Sequence, residues 1–181
     1  MPRVQVTDEF KQYIARMKGY IGGRDPVKMM AAHPAKLEGA VRGLSKAQLT
    51  RRPRPGKWSI QEILAHLADT ELVYGWRLRM ILAQPGLPIQ PTDQDAWAKR
   101  LGYQRQPATK LLEQLRVLRE SNLRLLKLVP RKWWNRYGVH LQRGRESVTR
   151  TVEMWAGHDV NHLNQIAAIR RQFGWQPGGR R

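Results

Sequence analysis

The sequence predicts an all-α protein, a four-helix bundle with long crossover connections and an extra N-terminal helix. Three observations lead to this fold class. Apolar residues recur at the helical spacing of i, i+3, i+4 and i+7 in long segments, and Pro and Gly separate these segments. No segment shows the apolar and polar alternation that is typical of a strand. Two connections are roughly 15–20 residues long, which does not suit a simple up-down-up-down bundle.

The N-terminal helix is predicted over residues 7–21. A threonine suited to N-capping precedes its apolar residues, and a pair of glycines follows them. We place the core of the bundle at about residues 25–173 and expect a frayed tail at residues 174–181. The chain has 181 residues, close to the usual size of one domain, so we predict a single domain over residues 1–181.

The first helix of the core begins at Asp25 and Pro26, which suit the N-cap and the first helical position. This segment also contains His33 followed by Pro34. Because proline has no backbone N–H to donate, we expect the helix to break or restart there. It then ends near Gly43.

The clearest local signal marks the start of the next helix. Ser59 and Glu62 form an S-x-x-E capping box, and Trp58 and Ile63 are placed for a hydrophobic staple around it. The helix that begins here runs to about Gln84, where a Pro-Gly pair ends it.

Two more long helices and two long connections complete the core. Residues 85–106 are rich in Pro, Gln and Asp and form a crossover. A strongly periodic helix follows over residues 107–129 and ends before a proline. Residues 130–147 form the second connection. The last helix covers residues 147–173, with a glycine after its end.

Composition excludes several kinds of site. The chain has no cysteine, which rules out disulfides, thiolate metal sites, iron–sulfur clusters and a cysteine nucleophile. Any metal must therefore bind nitrogen or oxygen. The N-terminus lacks the apolar stretch of a signal peptide, and no apolar run is long enough to cross a bilayer. We therefore expect a cytoplasmic protein with no membrane partner.

The net charge is +19, from 33 Lys and Arg against 14 Asp and Glu. Such an excess suits binding to phosphates, yet it is spread along the chain, with 15 basic and 7 acidic residues in the first 90 and 18 and 7 in the rest. The cations expected on polar helix faces include Arg116, Arg119, Arg124 and Lys127. The one dense basic run comprises Arg51, Arg52, Arg54 and Lys57. We therefore favour a solvated basic surface with at most weak, non-specific nucleic-acid binding.

Histidines provide the candidate metal ligands. His158 and His162 lie four residues apart in the last predicted helix, about 40° apart around its axis, so both rings can reach one ion. Such pairs also arise by chance, but His66 lies on the side of its helix that is expected to face the bundle. Three neutral imidazoles leave at least one coordination position open, as in a reactive metal site. His33 and His140 are interpreted as surface or packing residues.

The order of these motifs resembles the DinB/YfiT-like superfamily of bacterial four-helix-bundle proteins. The superfamily pattern is a G-x-W-S segment that opens a helix with H-L-x-D, followed far downstream by H-D-x-x-H. Here the pieces read G-K-W-S at residues 56–59, H-L-A-D at residues 66–69 and H-D-V-N-H at residues 158–162. The resemblance spans about residues 25–173, and the combined order is more specific than any single motif.

The resemblance implies a metal triad of His66, His158 and His162 that binds zinc, nickel or a similar divalent ion. It also implies a homodimer. Members whose chemistry is understood include thiol S-transferases that use bacillithiol or mycothiol and a thiol-dependent isomerase. Most members are simply named as metal-dependent hydrolases.

Two carboxylates near the ligands are candidate catalytic groups. Asp69 follows His66 by three residues, so it can orient the ring or move protons. Asp159 lies within H-D-x-x-H, which also resembles the metalloprotease motif H-E-x-x-H. Its side chain is one methylene shorter than the general-base Glu, and no later residue offers a third ligand. The motif therefore gives little support to a peptidase, and we expect Asp159 to lie behind the metal ligands or on the helix surface.

We predict a metalloenzyme in which the ion activates a thiol or water nucleophile that attacks a small-molecule substrate. Thiol transfer is narrowly favoured over hydrolysis. Because the chain has no cysteine, the thiol would be an external low-molecular-weight cofactor. Arg77 is the candidate cation that binds an acidic thiol or a substrate carboxylate. The alternative is a basic nucleic-acid-associated protein with a structural or vestigial metal.

Overall fold

The computed structural model describes residues 5–176, which form seven helices and one small sheet. The helices are α1 (Asp8–Gly19), α2 (Pro26–Val41), α3 (Lys46–Thr50), α4 (Ile60–Ala83), α5 (Gln94–Arg100), α6 (Ala108–Leu128) and α7 (Val148–Gln172). The strands are β1 (Pro88–Ile89), β2 (Tyr137–His140) and β3 (Gly144–Ser147). Two short 3-10 turns cover Tyr103–Arg105 and Arg131–Trp133. Most of the predicted frayed tail, residues 177–181, lies outside the described residues.

Helices α2, α4, α6 and α7 form a four-helix bundle, which confirms the predicted fold class. Glu71 of α4 contacts Arg119 of α6, and further along both helices Arg79 contacts Asn122. Residue numbers increase together in the two helices, so α4 and α6 run parallel. Parallel neighbours that follow one another need a long crossover, and residues 84–107 provide it.

The other parallel pair is α2 and α7. His33 of α2 faces Asp159 of α7, and two to three turns later the carbonyl of Ala40 accepts a hydrogen bond from Arg170. The α4–α6 pair and the α2–α7 pair run in opposite directions. The bundle order is therefore up, down, down, up, rather than a simple alternation.

The predicted helix starts are confirmed where capping residues marked them. The backbone N–H of Glu62 donates to Ser59 Oγ at 3.2 Å, and the backbone N–H of Ser59 donates to Glu62 Oε2 at 2.8 Å, so both halves of the capping box form. Thr7 caps α1 and Asp25 caps α2 through the side-chain oxygen alone, which accepts from backbone N–H groups of the first turn. The start of α4, and with it the position of every side chain on that helix, is fixed locally.

The expected break at Pro34 is wrong, since α2 continues through it as one helix. Met30, His33 and Leu37 are buried on one face of α2, so packing holds both sides of the proline in place. Proline leaves the carbonyl four residues earlier, that of Met30, without its usual donor. Arg119 Nη1 donates to this carbonyl at 2.7 Å and replaces the missing bond.

The expectation of no strands is also wrong. β2 and β3 form an antiparallel hairpin in the second connection, and β1 of the first connection pairs parallel with β2. Each strand has two to four residues, too few for its alternation to be recognised. The sheet joins the two crossovers to each other. The first crossover also contains α5, which the sequence analysis did not predict.

The core has two apolar clusters with a polar layer between them. One cluster contains Ile60, Ile63 and Leu64 of α4 and Leu111 and Leu115 of α6. The other contains Tyr74 and Leu78 of α4 and Leu126 of α6. Every bundle helix contributes to the polar layer. Its members are His33, Glu71, Arg119, Asn122 and Asp159.

Arg119 is the centre of this layer, although it was expected on a polar helix face. It is 1% exposed, and its guanidinium donates to Glu71, Asp159 and the Met30 carbonyl. The same guanidinium therefore contacts α2, α4 and α7 from α6. Trp155 Nε1 also donates to Glu71 Oε1 at 3.0 Å. Glu71 thus has a charged and a neutral donor, while Asp159 is bound by the charged Arg119.

Helix α1 packs against α7 outside the bundle. The contact is close at Gly157, where a Cβ would overlap the Met17 carbonyl. Glycine is therefore required next to His158 for α1 to reach this position. Among residues 5–176, no helix is both long and apolar enough to cross a membrane.

We predict that Arg119→Met costs about 3–5 kcal/mol of unfolding free energy, because it leaves the Glu71 and Asp159 carboxylates buried without their cation. Chemical denaturation followed by circular dichroism measures this. Arg116→Met is the matched control, since Arg116 is exposed and pairs only with Glu120 at 3.9 Å. It should change stability by about 0–1 kcal/mol. Equal losses in the two variants would contradict the role given to Arg119.

Candidate metal centre

The structure brings His66, His158 and His162 together at the interface of α4 and α7. His158 Nε2 lies 3.0 Å from His66 Nε2 and 3.0 Å from His162 Nε2. All three nitrogens lie within 4.8 Å of one another, and all three residues are buried. His66 stands two turns after the Ser59 cap, and α7 contributes its two ligands from successive turns. The capping box and the helix period therefore account for the positions of the rings.

Burial favours the neutral form of all three rings, and their Nε2 atoms face a common point. Burial, together with the neighbouring histidines, lowers the pKa of His66 and His158 well below the usual value, and burial lowers that of His162 to about 4. His162 Nδ1 lies 2.8 Å from Gln165 Oε1, which can only accept a hydrogen bond. That contact places the ring proton on Nδ1 and leaves Nε2 as an acceptor.

These observations fit one later first-row metal ion. The donor set is three imidazole nitrogens without a carboxylate, which suits zinc, nickel or copper better than magnesium or calcium. His158 Nε2 lies 3.0 Å from each of the other two Nε2 atoms. Because metal–nitrogen bonds are about 2.0–2.1 Å long, nitrogens at that distance from each other can bind the same ion. Trp58 lies beside the histidine cluster. Its ring stacks on that of His162, with an interplanar angle of 11° and ring centroids 6.5 Å apart.

A cavity of about 490 Å³ opens beside the cluster and is lined by His66 and His158. Side chains from α1, α4, α5 and the β2–β3 hairpin form its other walls. A second cavity, between α1, α7 and the segment before α4, is lined by His158 and His162. The three histidines therefore lie between two cavities, with His158 facing both.

Asp69 lines the first cavity and has a partner that the sequence analysis missed. Tyr103 Oη donates to Asp69 Oδ2 at 2.6 Å. Burial raises the pKa of Asp69 above the usual range for an aspartate. Tyr103 lies in the crossover, far from Asp69 in sequence, so no local pattern could have paired them.

Arg77 lines the same cavity, as do two residues of the β2–β3 hairpin, His140 and Arg143. The sequence analysis named Arg77 and missed Arg143. His140 was interpreted as a surface or packing residue, and it is buried. Its Nδ1 accepts hydrogen bonds from the backbone N–H groups of Gln142 and Arg143 at 3.2 and 3.3 Å. His33 is buried as well.

Asp159 lies away from both cavities. Its carboxylate accepts two hydrogen bonds from Arg119, at 2.8 and 3.1 Å, and His33 Nδ1 lies 3.6 Å from it. This position favours a structural role over a catalytic one, because Asp159 holds α7 in place next to His158.

The dense basic run is only partly a solvated surface. Arg52 bonds to the buried Glu62 carboxylate, and the Arg51 guanidinium stacks on the Phe173 ring at 4.2 Å. Arg54 and Lys57 line the second cavity. Two of the four cations thus have intramolecular partners, which weakens the nucleic-acid alternative.

Comparison with known proteins identifies the family. The sequence profile of the DinB superfamily matches residues 29–166, which include all three clustered histidines. The chain belongs to the DinB superfamily. The predicted resemblance is thereby confirmed, and the bundle with its crossovers is the fold of a DinB protein.

Related proteins match this DinB chain over most of its length. A protein of Oceanobacillus iheyensis named "Putative metal-dependent hydrolase OB0782" is 25% identical over 142 residues, which cover 78% of this chain and 82% of that protein. YfiT of Bacillus subtilis, also named "Putative metal-dependent hydrolase", is 24% identical over 151 residues, covering 82% and 84% of the two chains.

The solved structure of Bacillus subtilis YfiT has the same fold. It superimposes with a TM-score of 0.78 at 22% identity and covers 97% of this chain and 94% of YfiT. YfiT is described as "a probable metal-dependent hydrolase with an unusual four-helix bundle topology". The up, down, down, up order of this DinB bundle is likewise not a simple alternation. The homodimer and the cytoplasmic location stay predictions.

We predict that His140 of this DinB protein stays neutral at pH 5. Burial, followed by the charges of Arg143, Arg77 and Arg150, lowers its pKa to about 3. In the unfolded chain the pKa is about 6.5, so its contribution to stability is complete above that pH and is lost as pH falls toward 3. NMR titration of the imidazole carbons measures the folded value. A ring that titrates near pH 6.5 in the folded protein would contradict the assignment.

Proposed function

We propose that this protein is a metal-dependent enzyme in which His66, His158 and His162 hold one divalent ion, zinc or nickel. The observation that carries the proposal is the convergence of three neutral imidazoles at the wall of a cavity. When bound, the ion lowers the pKa of a thiol or water at its open position and so supplies a nucleophile at neutral pH. The relatives named as metal-dependent hydrolases support the same general activity.

Asp69 accepts the proton of the nucleophile. It lines the cavity with His66, and its raised pKa makes it a stronger base than an exposed aspartate. Tyr103 donates a hydrogen bond to one carboxylate oxygen and thereby leaves the other oxygen for the proton. Tyr103 is a positioning residue in this scheme, while Asp69 contacts the reacting group.

Trp58 and Gln165 hold the histidines in their working orientation. The Trp58 ring lies 4.9 Å from that of His66 and stacks on that of His162, so it limits the rotation of both rings. Gln165 accepts the Nδ1 proton of His162 and fixes its tautomer. Such outer contacts orient ligands and tune their basicity.

Thiol transfer is favoured over hydrolysis because two cavities meet at the histidines. A transfer reaction brings two organic molecules together, and each cavity can take one. The thiol gives its proton to Asp69, its sulfur forms a bond to the electrophilic carbon, and the leaving group departs with the electrons of the broken bond. Hydrolysis needs only one substrate and a water.

The metal is tested by elemental analysis and titration of the purified chain. We expect about one zinc or nickel ion per chain. His66→Ala, His158→Ala and His162→Ala should each weaken binding by more than the roughly 10–100-fold that loss of an outer contact costs. His33→Gln is the control, since His33 is a buried histidine outside the cluster. Chains that cannot be loaded with zinc, nickel, cobalt or manganese would refute the proposal.

The reaction is tested with a chlorinated aromatic electrophile and a panel of low-molecular-weight thiols, with product formation followed by chromatography. We expect at least one thiol to accelerate the reaction, and Asp69→Asn to lower kcat by about 10²–10⁴-fold. Tyr103→Phe should have a smaller effect and shift the pH profile. Cleavage of esters or amides without a thiol, abolished by His158→Ala, would establish the hydrolase instead.

A further inference from the structure

The end of the first cavity formed by α4 and the β2–β3 hairpin carries two guanidinium groups and a neutral imidazole. Arg77 comes from α4, while His140 and Arg143 come from the hairpin, and all three line the cavity. The metal-centre chemistry described above does not use them.

Arg77 is a buried guanidinium with few partners. It is 6% exposed, and its side chain donates one hydrogen bond, from Nη2 to the Gln90 carbonyl at 2.6 Å. Within residues 5–176, no carboxylate forms an ion pair with it. Buried arginines are normally paired, as Arg119 is here, because desolvation of an unpaired charge is costly. The cavity is the remaining direction from which a partner can reach Arg77.

Arg143 does not neutralise this charge, and its own partner is already engaged. Arg143 donates to both oxygens of Glu146, at 2.7 and 3.1 Å. Burial and the nearby positive charge of Arg143 lower the pKa of Arg77, since both disfavour the charged form of its guanidinium. Arg143 and Glu146 therefore offset each other's charge, and Arg77 is left without an ion-pair partner among residues 5–176.

His140 adds a neutral donor to the two cations. Its Nδ1 accepts two backbone N–H groups, so the ring proton is on Nε2. The positive surroundings keep this ring neutral at physiological pH. A neutral ring with a proton on Nε2 can donate to an anion without adding to the repulsion between the arginines.

We propose that Arg77, Arg143 and His140 form an anion-binding subsite that holds a carboxylate or phosphate group of the substrate. Guanidinium groups bind both kinds of anion through paired N–H donors. The same cavity is lined by His66 and His158, so an anion held here places the rest of the molecule against the histidine cluster. The inference rests on the proposed function only in calling the bound molecule a substrate.

The test is anion binding to the full-length chain, measured by calorimetry with sodium phosphate and, separately, sodium succinate. Ionic strength is held constant, since a chain of net charge +19 also attracts anions non-specifically. The titrations are made with zinc added and again after chelation. Binding that persists after chelation belongs to the arginines, so this result does not depend on whether the metal proposal is right.

Arg77→Gln should weaken binding of the preferred anion by at least about tenfold, because a charge-assisted contact is lost. Arg143→Gln should have a similar effect, since it frees Glu146 to pair with Arg77. Arg79→Gln is the matched control, because Arg79 lies on the same helix, is exposed, and bonds to Asn122 instead of lining the cavity. It removes the same charge and should change affinity by less than about twofold.

NMR of the arginine Nε–H groups in the unmodified protein tests the subsite without any variant. Addition of phosphate or succinate should shift the signals of Arg77 and Arg143 first, and the anion that does so at the lower concentration identifies the preferred group. Equal losses in Arg77→Gln and Arg79→Gln would overturn the proposal. So would binding that disappears on chelation, or shifts confined to other arginines.

Discussion

The buried guanidinium of Arg119 sets the arrangement of the four bundle helices. From α6 it reaches Glu71 on α4, Asp159 on α7 and the Met30 carbonyl on α2. The last contact exists because Pro34 has no N–H to give that carbonyl. A proline that would otherwise weaken α2 thus provides the acceptor that ties α2 to the network. Desolvation offsets much of the attraction in such a buried network, so its main effect is to select one register among the helices.

That register determines where the three histidines meet. Asp159 follows His158 directly, and Glu71 lies five residues after His66, so one cation fixes both helices within about a turn and a half of the ligands. Trp155 Nε1 adds a second link, to the same Glu71. The polar layer thereby holds α4 and α7 at the distance that brings the Nε2 atoms together, while the crossovers build the cavities outside it.

The parts of this account that rest on local patterns were predictable from the sequence. The capping box at Ser59 fixed the start of α4, and the spacing of His158 and His162 required only the helix period. The prediction that Arg119 lies on a polar helix face was wrong. An arginine in an amphipathic helix is usually exposed, and its two carboxylate partners are distant in sequence. Tyr103 and Arg143 were missed and His140 was interpreted as a surface or packing residue, because the crossover and the hairpin reach the cavity only through long-range contacts. Strands of four residues or fewer carry too little pattern to be recognised.

Anomalous X-ray diffraction from crystals of the zinc-loaded chain tests the central claim most directly, because it locates the ion independently of any activity. The account predicts one strong peak per chain, bonded at about 2.0–2.1 Å to the Nε2 atoms of His66, His158 and His162. Arg119 should still bridge Glu71 and Asp159 behind it. A peak bound to carboxylates, or to only one of these rings, would contradict the account.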